Sequence, residues 1–288
     1  MIHLIFSILS TTAILIIFKS VEKFNMDVFH VIVINYAVAF ILGIIIFSHH
    51  SFDGLSFDNM PWIYFSILVG ICLITMFFII GLTTQKAGIS VTSVSGKVSV
   101  IIPMLFSILY YRETLSLLKT AGIVTALFAL VFSILKKQEK GIGRHYLFLP
   151  VVLFLGLGCL DSLVKFVQQE YLSNASSALF SGCSFFFAFA AGTAISITRR
   201  IPVQQFFKPN VLVAGTLLGI CNFGSIFFLI NALNSNIFDS SVLFGINNIA
   251  AVGLSVFAAC ALFREKLSAL NWAGVSLSIV SISIFVHT

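Results

Sequence analysis

The chain has 288 residues, 59% hydrophobic and 9% charged. A soluble domain carries about 25% charged residues, so this chain has too few charges to cover a water-exposed surface. The mean hydropathy of +1.10 points the same way, and the net charge of +6 sits mainly on lysines and arginines at the ends of apolar runs. There such charges anchor and orient spans rather than bind nucleic acid.

The apolar runs fall in order at 2–18, 28–48, 62–83, 88–110, 117–135, 147–168, 175–197, 209–231, 238–262 and 268–286. Each has about the length a helix needs to cross a hydrocarbon core of about 30 Å. None shows the polar–apolar alternation of a barrel strand. The expected fold is an all-α membrane protein with ten transmembrane helices and short loops. Met1-Ile2-His3 puts no basic residue before the first run, so that run is expected to be a retained helix, not a cleaved signal. The five cysteines all fall inside runs and form no C-x-x-C pair. They read as small apolar residues. The densest basic group, Lys136, Lys137, Lys140 and Arg144, divides the chain near its middle.

Two segments repeat one another. Tyr111 to Ile123 reads YRETLSLLKTAGI and Phe263 to Val275 reads FREKLSALNWAGV, with seven of thirteen positions identical, among them Arg112/Arg264, Glu113/Glu265 and Gly122/Gly274. The likeness extends to LVGIC at Leu68 and LLGIC at Leu217. The expected organisation is a five-helix repeat at 1–138, a linker at 139–145 and a second repeat at 146–288. Five crossings return the chain on the opposite side of the membrane, so the second copy is inverted relative to the first. Substrate sites in such folds lie near the midplane.

The duplicated ten-span layout, the Arg-Glu pair after the fourth and ninth spans, the glycine in the span that follows, and Pro103 in the fourth span resemble the EamA-type transporters of the drug/metabolite transporter superfamily. The resemblance covers nearly the whole chain. It implies export of amino acids or other metabolites and leaves the substrate open. Ser255 stands in the second copy where Pro103 stands in the first, so the copies need not bend alike. The loops after odd-numbered spans hold about twelve of the sixteen basic residues, which places them in the cytoplasm and both termini outside. The resemblance implies cytoplasmic termini instead. An even number of spans puts both termini on one side in either case.

Lys97 is the most informative single residue. It lies about nine residues into the fourth run, roughly 13 Å from the helix end at about 1.5 Å per residue. An unpaired ammonium at that depth costs about 2.5–3.5 kcal/mol or more, so Lys97 is expected to face a wet cavity, an acid or an anionic substrate. A buried structural pair is the alternative. Asp161, in the sixth run, is four residues from Lys165 on the same face. A local pair is the simpler reading and proton coupling the sharper one. Lys19 closes the first run and reads as an interfacial anchor, while the resemblance gives it a pathway role. Asn247 and Asn248 sit where the repeat places Lys97. Asn222, Asn35 and Tyr36 are further polar groups inside runs, suited to substrate contacts or to interhelical hydrogen bonds.

Glu113 and Glu265 sit at span junctions and read as structural. Gly215 to Gly219 is a G-x-x-x-G suited to close packing. His49 and His50 with Asp53 and Asp58 lack zinc-site spacing. No metal or cofactor is expected, and no H-E-x-x-H, P-loop or G-x-S-x-G occurs. The expected function is a gradient-driven transporter, not an enzyme, exporting a small polar metabolite such as an amino acid. Its partners would be that substrate, the lipid bilayer and a coupling proton or ion, with no nucleic acid. It would sit as a multi-pass protein in the cell membrane, the inner one in a bacterium. A non-transporting membrane module and an intramembrane enzyme are the competing readings.

Overall fold

A computed structural model describes residues 1–47, 61–112, 117–134, 148–171, 174–234 and 240–286. The His49–Asp58 group, Glu113, the basic group at 136–144 and the expected linker at 139–145 lie outside them. The helices are α1 (Ile2–Lys23), α2 (Val28–Phe47), α3 (Trp62–Lys86), α4 (Ile89–Val98), α5 (Ile101–Tyr110) and α6 (Leu117–Ile134). They continue with α7 (Leu149–Tyr171), α8 (Asn174–Thr198), α9 (Pro209–Asn234), α10 (Ser240–Phe263) and α11 (Ala269–Val286). No strand occurs among the described residues. Among the described residues eight stretches are long and apolar enough to cross a membrane, and α4 with α5 forms one of them, Ile89–Tyr110. The apolar parts of α6 and α11 are shorter. The protein is thus an all-helical, multi-pass membrane protein.

Where the side chains point supports this. On α6, Val124, Leu127, Phe128 and Val131 are exposed at spacings of three and four residues, while Ala126, Ala129, Leu130 and Ser133 are buried. The outward stripe is bulkier and more apolar than the inward one, the reverse of a soluble helix. Tyr110 and Tyr171, the last residues of α5 and α7, are exposed, as aromatic rings at a membrane–water boundary are.

The fourth span breaks for a local reason. Pro103 has no N–H to give the Ser99 carbonyl, and its ring would crowd that carbonyl in a straight helix. The chain turns at Ser99–Val100, where Ile102 N–H donates to Ser99 O at 3.0 Å. With Ser255 in place of a proline, α10 runs unbroken.

Contacts divide the chain into two compact units, each drawing on both halves of the sequence. Unit 1 comprises Met1–Ser20, Ile79–Cys159 and Gly224–Thr288; unit 2 comprises Val21–Phe78 and Leu160–Phe223. In unit 1, α6 and α11 lie antiparallel. Asn271 Nδ2 donates to Ser133 O at 2.9 Å near one end, and Ser281 Oγ donates to Gly122 O at 2.9 Å near the other. A Cβ at Gly274 would stand 2.6 Å from Ser133 N and 2.9 Å from Ala129 O, so the backbones meet because this residue has no side chain. Helices in lipid gain no hydrophobic drive toward each other, and such small-residue contacts and interhelical hydrogen bonds take its place. The valines of α4 (Val94, Val98) and α10 (Val252, Val256) share one core with Ala126 and Ala129 of α6.

In unit 2, α2 lies antiparallel to α8, with the rings of Phe40 and Phe186 tilted against each other at 5.2 Å and Val33 against Gly192. Helix α9 meets α2 through the G-x-x-x-G expected to pack closely. A Cβ at Gly215 would be 2.6 Å from Ile34 Cβ, and one at Gly219 would be 2.7 Å from Asn35 O.

Gly274→Ala should therefore lower the melting temperature in detergent by about 2–6 °C, since overpacking against fixed backbone costs about 1–3 kcal/mol. Gly253→Ala, at a position with nothing within 4 Å of the added carbon, should leave it unchanged or higher. Circular-dichroism melting of both variants checks the contrast.

Candidate functional site

The joint between α3 and α4 orders one end of unit 1. A helix leaves N–H groups unpaired at its start and carbonyls unpaired at its end, with partial charges to match. Lys19 Nζ donates to Gln85 O at 3.0 Å, putting an ammonium on the C-terminal carbonyls of α3. Gln85 Nε2 returns a bond to Phe18 O at 3.3 Å. On the other side of the joint, Ile89 N–H donates to Glu265 Oε1 at 2.8 Å and Ser90 Oγ to Oε2 at 3.4 Å. A carboxylate from the chain beyond α10 thus caps the start of α4. Gly88 sits between them at φ 102°, with the Glu265 oxygens 2.9 and 3.0 Å from where its Cβ would be. Backbone conformation and space both require glycine there. Lys19 lies inside α1, which runs on to Lys23, and it binds a helix end.

Helix α4 is unusual for a membrane segment. Its sequence ISVTSVSGKV buries Ser90, Thr92, Ser93 and Ser95. Lys97 lies in its last turn, half-buried. That turn precedes the Pro103 break, and a basic residue in the last turn of a helix is favourably placed against the helix dipole. On α10, packed against α4, Asn247 is buried and Asn248 half-buried. Three oxygens in these two helices are buried with no hydrogen-bond partner among the described residues: Ser95 Oγ, Ser255 Oγ and Asn247 Oδ1. Each such group costs about 1–3 kcal/mol when left dry.

Unit 2 holds a second polar group. With its amide nitrogen turned toward α9, Asn35 donates to Leu218 O at 3.2 Å and lies 3.2 Å from Asn222 Nδ2. Gly219 allows this approach. The neighbouring Tyr36 is fully buried, its ring 5.4 Å from Phe77 and 6.2 Å from Phe185. Its hydroxyl has no partner among the described residues.

Of the residues singled out from sequence, the fold brings Asn35 and Asn222 into contact and sets Tyr36 beside them. It places Lys97, Asn247 and Asn248 on the packed pair α4–α10. Asp161 (exposed) and Lys165 (half-buried) lie one turn apart on α7 in unit 2. Sequence reasoning missed Ser95 and Ser255. The run of hydroxyl residues in α4 was the available signal for Ser95; Ser255 carried none, because one serine in an apolar helix is ordinary.

No protein-family model matches the chain. A protein of Haemophilus influenzae, itself uncharacterized, is 26% identical over 290 residues, spanning 97% of this chain and 96% of that protein. A solved structure described only as a crystal structure of a protein shares the fold, with a TM-score of 0.62 at 16% identity, over 98% of this chain and 94% of that one. Fold and site together define a multi-pass helical membrane protein with a broken span and, beside it, buried polar groups that have no partner among the described residues.

Glu265→Ala should uncap α4 and lower the melting temperature by about 2–6 °C, as loss of an N-cap costs about 0.5–2 kcal/mol. Glu265→Gln keeps an acceptor oxygen and should lose less than half as much. Thermal unfolding of the two variants in one detergent compares them.

Proposed function

We propose that this protein is a gradient-driven transporter of a small polar metabolite, built as two inverted five-helix repeats and related to the EamA-type transporters. The observation that carries this reading is the pairing of a broken span with buried polar groups that have no protein partner. Ser95, Ser255 and Asn247 present oxygens inside an apolar bundle, and Lys97 brings a cation to the break. A static helix bundle gains nothing from these groups. A bundle that takes a polar solute out of water recovers their cost when the solute or its water supplies the missing bonds. Broken helices are also where membrane transporters offer backbone and charge to substrate.

Two features support the duplication. Arg112 and Arg264, equivalent in the repeated segments, both adopt left-handed backbone, at φ 54° and 52°. The fifth runs of the two halves, α6 and α11, pair antiparallel, as an inverted repeat requires. In this reading Lys97 attracts a carboxylate or phosphate on the substrate, while Asn247, Asn248 and the two serines orient it. Asn35, Tyr36 and Asn222 form a further polar station in unit 2. Asp161 with Lys165 is the candidate for ion coupling, and Lys19 acts on the helix joint. The chain works without catalytic residues in the cell membrane, by alternating access.

Proteoliposome uptake of amino acids, organic acids and nucleobases, with and without a proton gradient, tests the proposal. Saturable, gradient-dependent uptake of one class is expected. Lys97→Gln should reduce it at least about tenfold, the effect of about 1.4 kcal/mol, with an unchanged melting curve. Wild-type flux in that variant would remove Lys97 from the pathway, and no flux of any solute would remove the transport reading.

A further inference from the structure

Unit 2 carries a groove of about 570 Å³ that the transport reading does not use. That volume falls within the range of about 300–1,000 Å³ typical of small-ligand sites. Ile34 and Ala37 of α2 and Phe189 and Ile197 of α8 form its apolar walls, Phe206 covers it, and Arg200 stands at its rim. The groove begins inside two candidate spans and ends where α8 stops, at Thr198. It therefore runs from hydrocarbon depth to the membrane surface.

The segment between α8 and α9 belongs to neither span. It reads RRIPVQQFFK from Arg199 to Lys208 and forms a 3-10 turn at Val203–Gln205. Val203 and Phe207 are exposed, each with 65% of its surface open. Large apolar side chains exposed outside a span, flanked by three cations, are the pattern of a segment lying in the headgroup layer. The ring of His30 meets Phe206 edge-on at 4.6 Å and holds the cover in place.

The backbone at Arg200 closes α8. Helix α8 ends in a Schellman turn, with Ile201 N–H donating to Ser196 O at 2.9 Å and Arg200 N–H to Ile197 O at 3.0 Å. This puts Arg200 at the left-handed position, φ 51°, where glycine or asparagine is favoured. Helix α1 ends in the same turn with Asn25 there, at φ 52°. Arg112 and Arg264 adopt the same left-handed backbone, so it is the place of Arg200 in the lining of the groove that singles it out here. A guanidinium lining an apolar slot suits an anionic head, phosphate or carboxylate, with an acyl chain below it, and the phospholipids of the bilayer supply both parts.

We propose that this groove binds an anionic phospholipid of the surrounding bilayer, with the phosphate at Arg200 and one acyl chain between α2 and α8. Arg199 and Lys208 add attraction for an anionic leaflet, worth about fivefold in affinity per cation near the surface. The site stands whether or not the protein transports.

The test uses the full-length protein in detergent, titrated with phosphatidylglycerol, phosphatidylcholine or inorganic phosphate, and read by native mass spectrometry and thermal melting. Phosphatidylglycerol is expected to bind in preference to phosphatidylcholine and to raise the melting temperature by about 5 °C near saturation. Arg200→Gln should weaken phosphatidylglycerol binding about fivefold and leave phosphatidylcholine unchanged. Arg200→Gly should lose the same preference while its lipid-free melting temperature stays equal or rises, which separates the ligand contact from folding. Ala37→Phe, which fills the slot and keeps every charge, should weaken binding of both lipids. Equal binding of the two lipids by wild type, full preference in Arg200→Gly, unaltered binding in Ala37→Phe, or equal stabilisation by inorganic phosphate alone would each overturn the site.

Discussion

A helix end inside or beside a membrane has peptide groups that water does not reach, and unit 1 is organised around meeting that need at the α3–α4 joint. The chain must turn there without losing its hydrogen bonds. Lys19 takes the carbonyl side and Glu265 the N–H side, each with the sign of charge that the helix dipole favours. Helix α1 is thereby bound to the end of α3 and the chain just beyond α10 to the start of α4, where Leu15, Ile89 and Ala259 pack in one cluster. Gly88 is the residue that makes the geometry possible. The direction of α4 follows from this clamp, and with it the placement of its hydroxyl-rich face and of Lys97.

The second constraint is Pro103. By denying Ser99 its helical bond it splits one span into α4 and α5 and creates a helix end within the span. A lysine there is easier to accommodate than in a continuous helix, because the negative end of the helix dipole favours a cation in the last turn. Helix α10, packed against α4 and unbroken, carries Asn247 and Asn248 and no cation; it has no helix end in its middle to stabilise one.

Much of the fold was legible because a bilayer imposes length and polarity on each segment separately. Each of the ten apolar runs corresponds to a helix or, at 88–110, to a helix pair. The G-x-x-x-G of α9 and the structural character of Glu265 could be read from spacing and from position at a span junction. Lys97 stood out because a charge deep in an apolar run is expensive. Less legible were the groups whose meaning depends on a neighbour. Lys19 reads from sequence as an interfacial anchor, and its bond to Gln85 O depends on a partner 66 residues away; the Asn35–Asn222 contact depends on Gly219 letting two backbones approach. Arg200 drew no notice, since an arginine after a span is commonplace and its left-handed backbone is not written in the residue type.

By itself the sequence determined that this chain lives in a membrane, roughly where its helices run, and that two of its segments read alike. These follow from hydropathy, length and identity, which are local properties. The tertiary structure alone decided how the helices sort into two compact units that each draw on both halves, which carboxylate caps which helix, and which buried oxygens are left without partners. Those outcomes turn on hydrogen bonds between residues as far apart as Ile89 and Glu265 and on contacts of a few ångströms between backbones. No single segment contains the information for either.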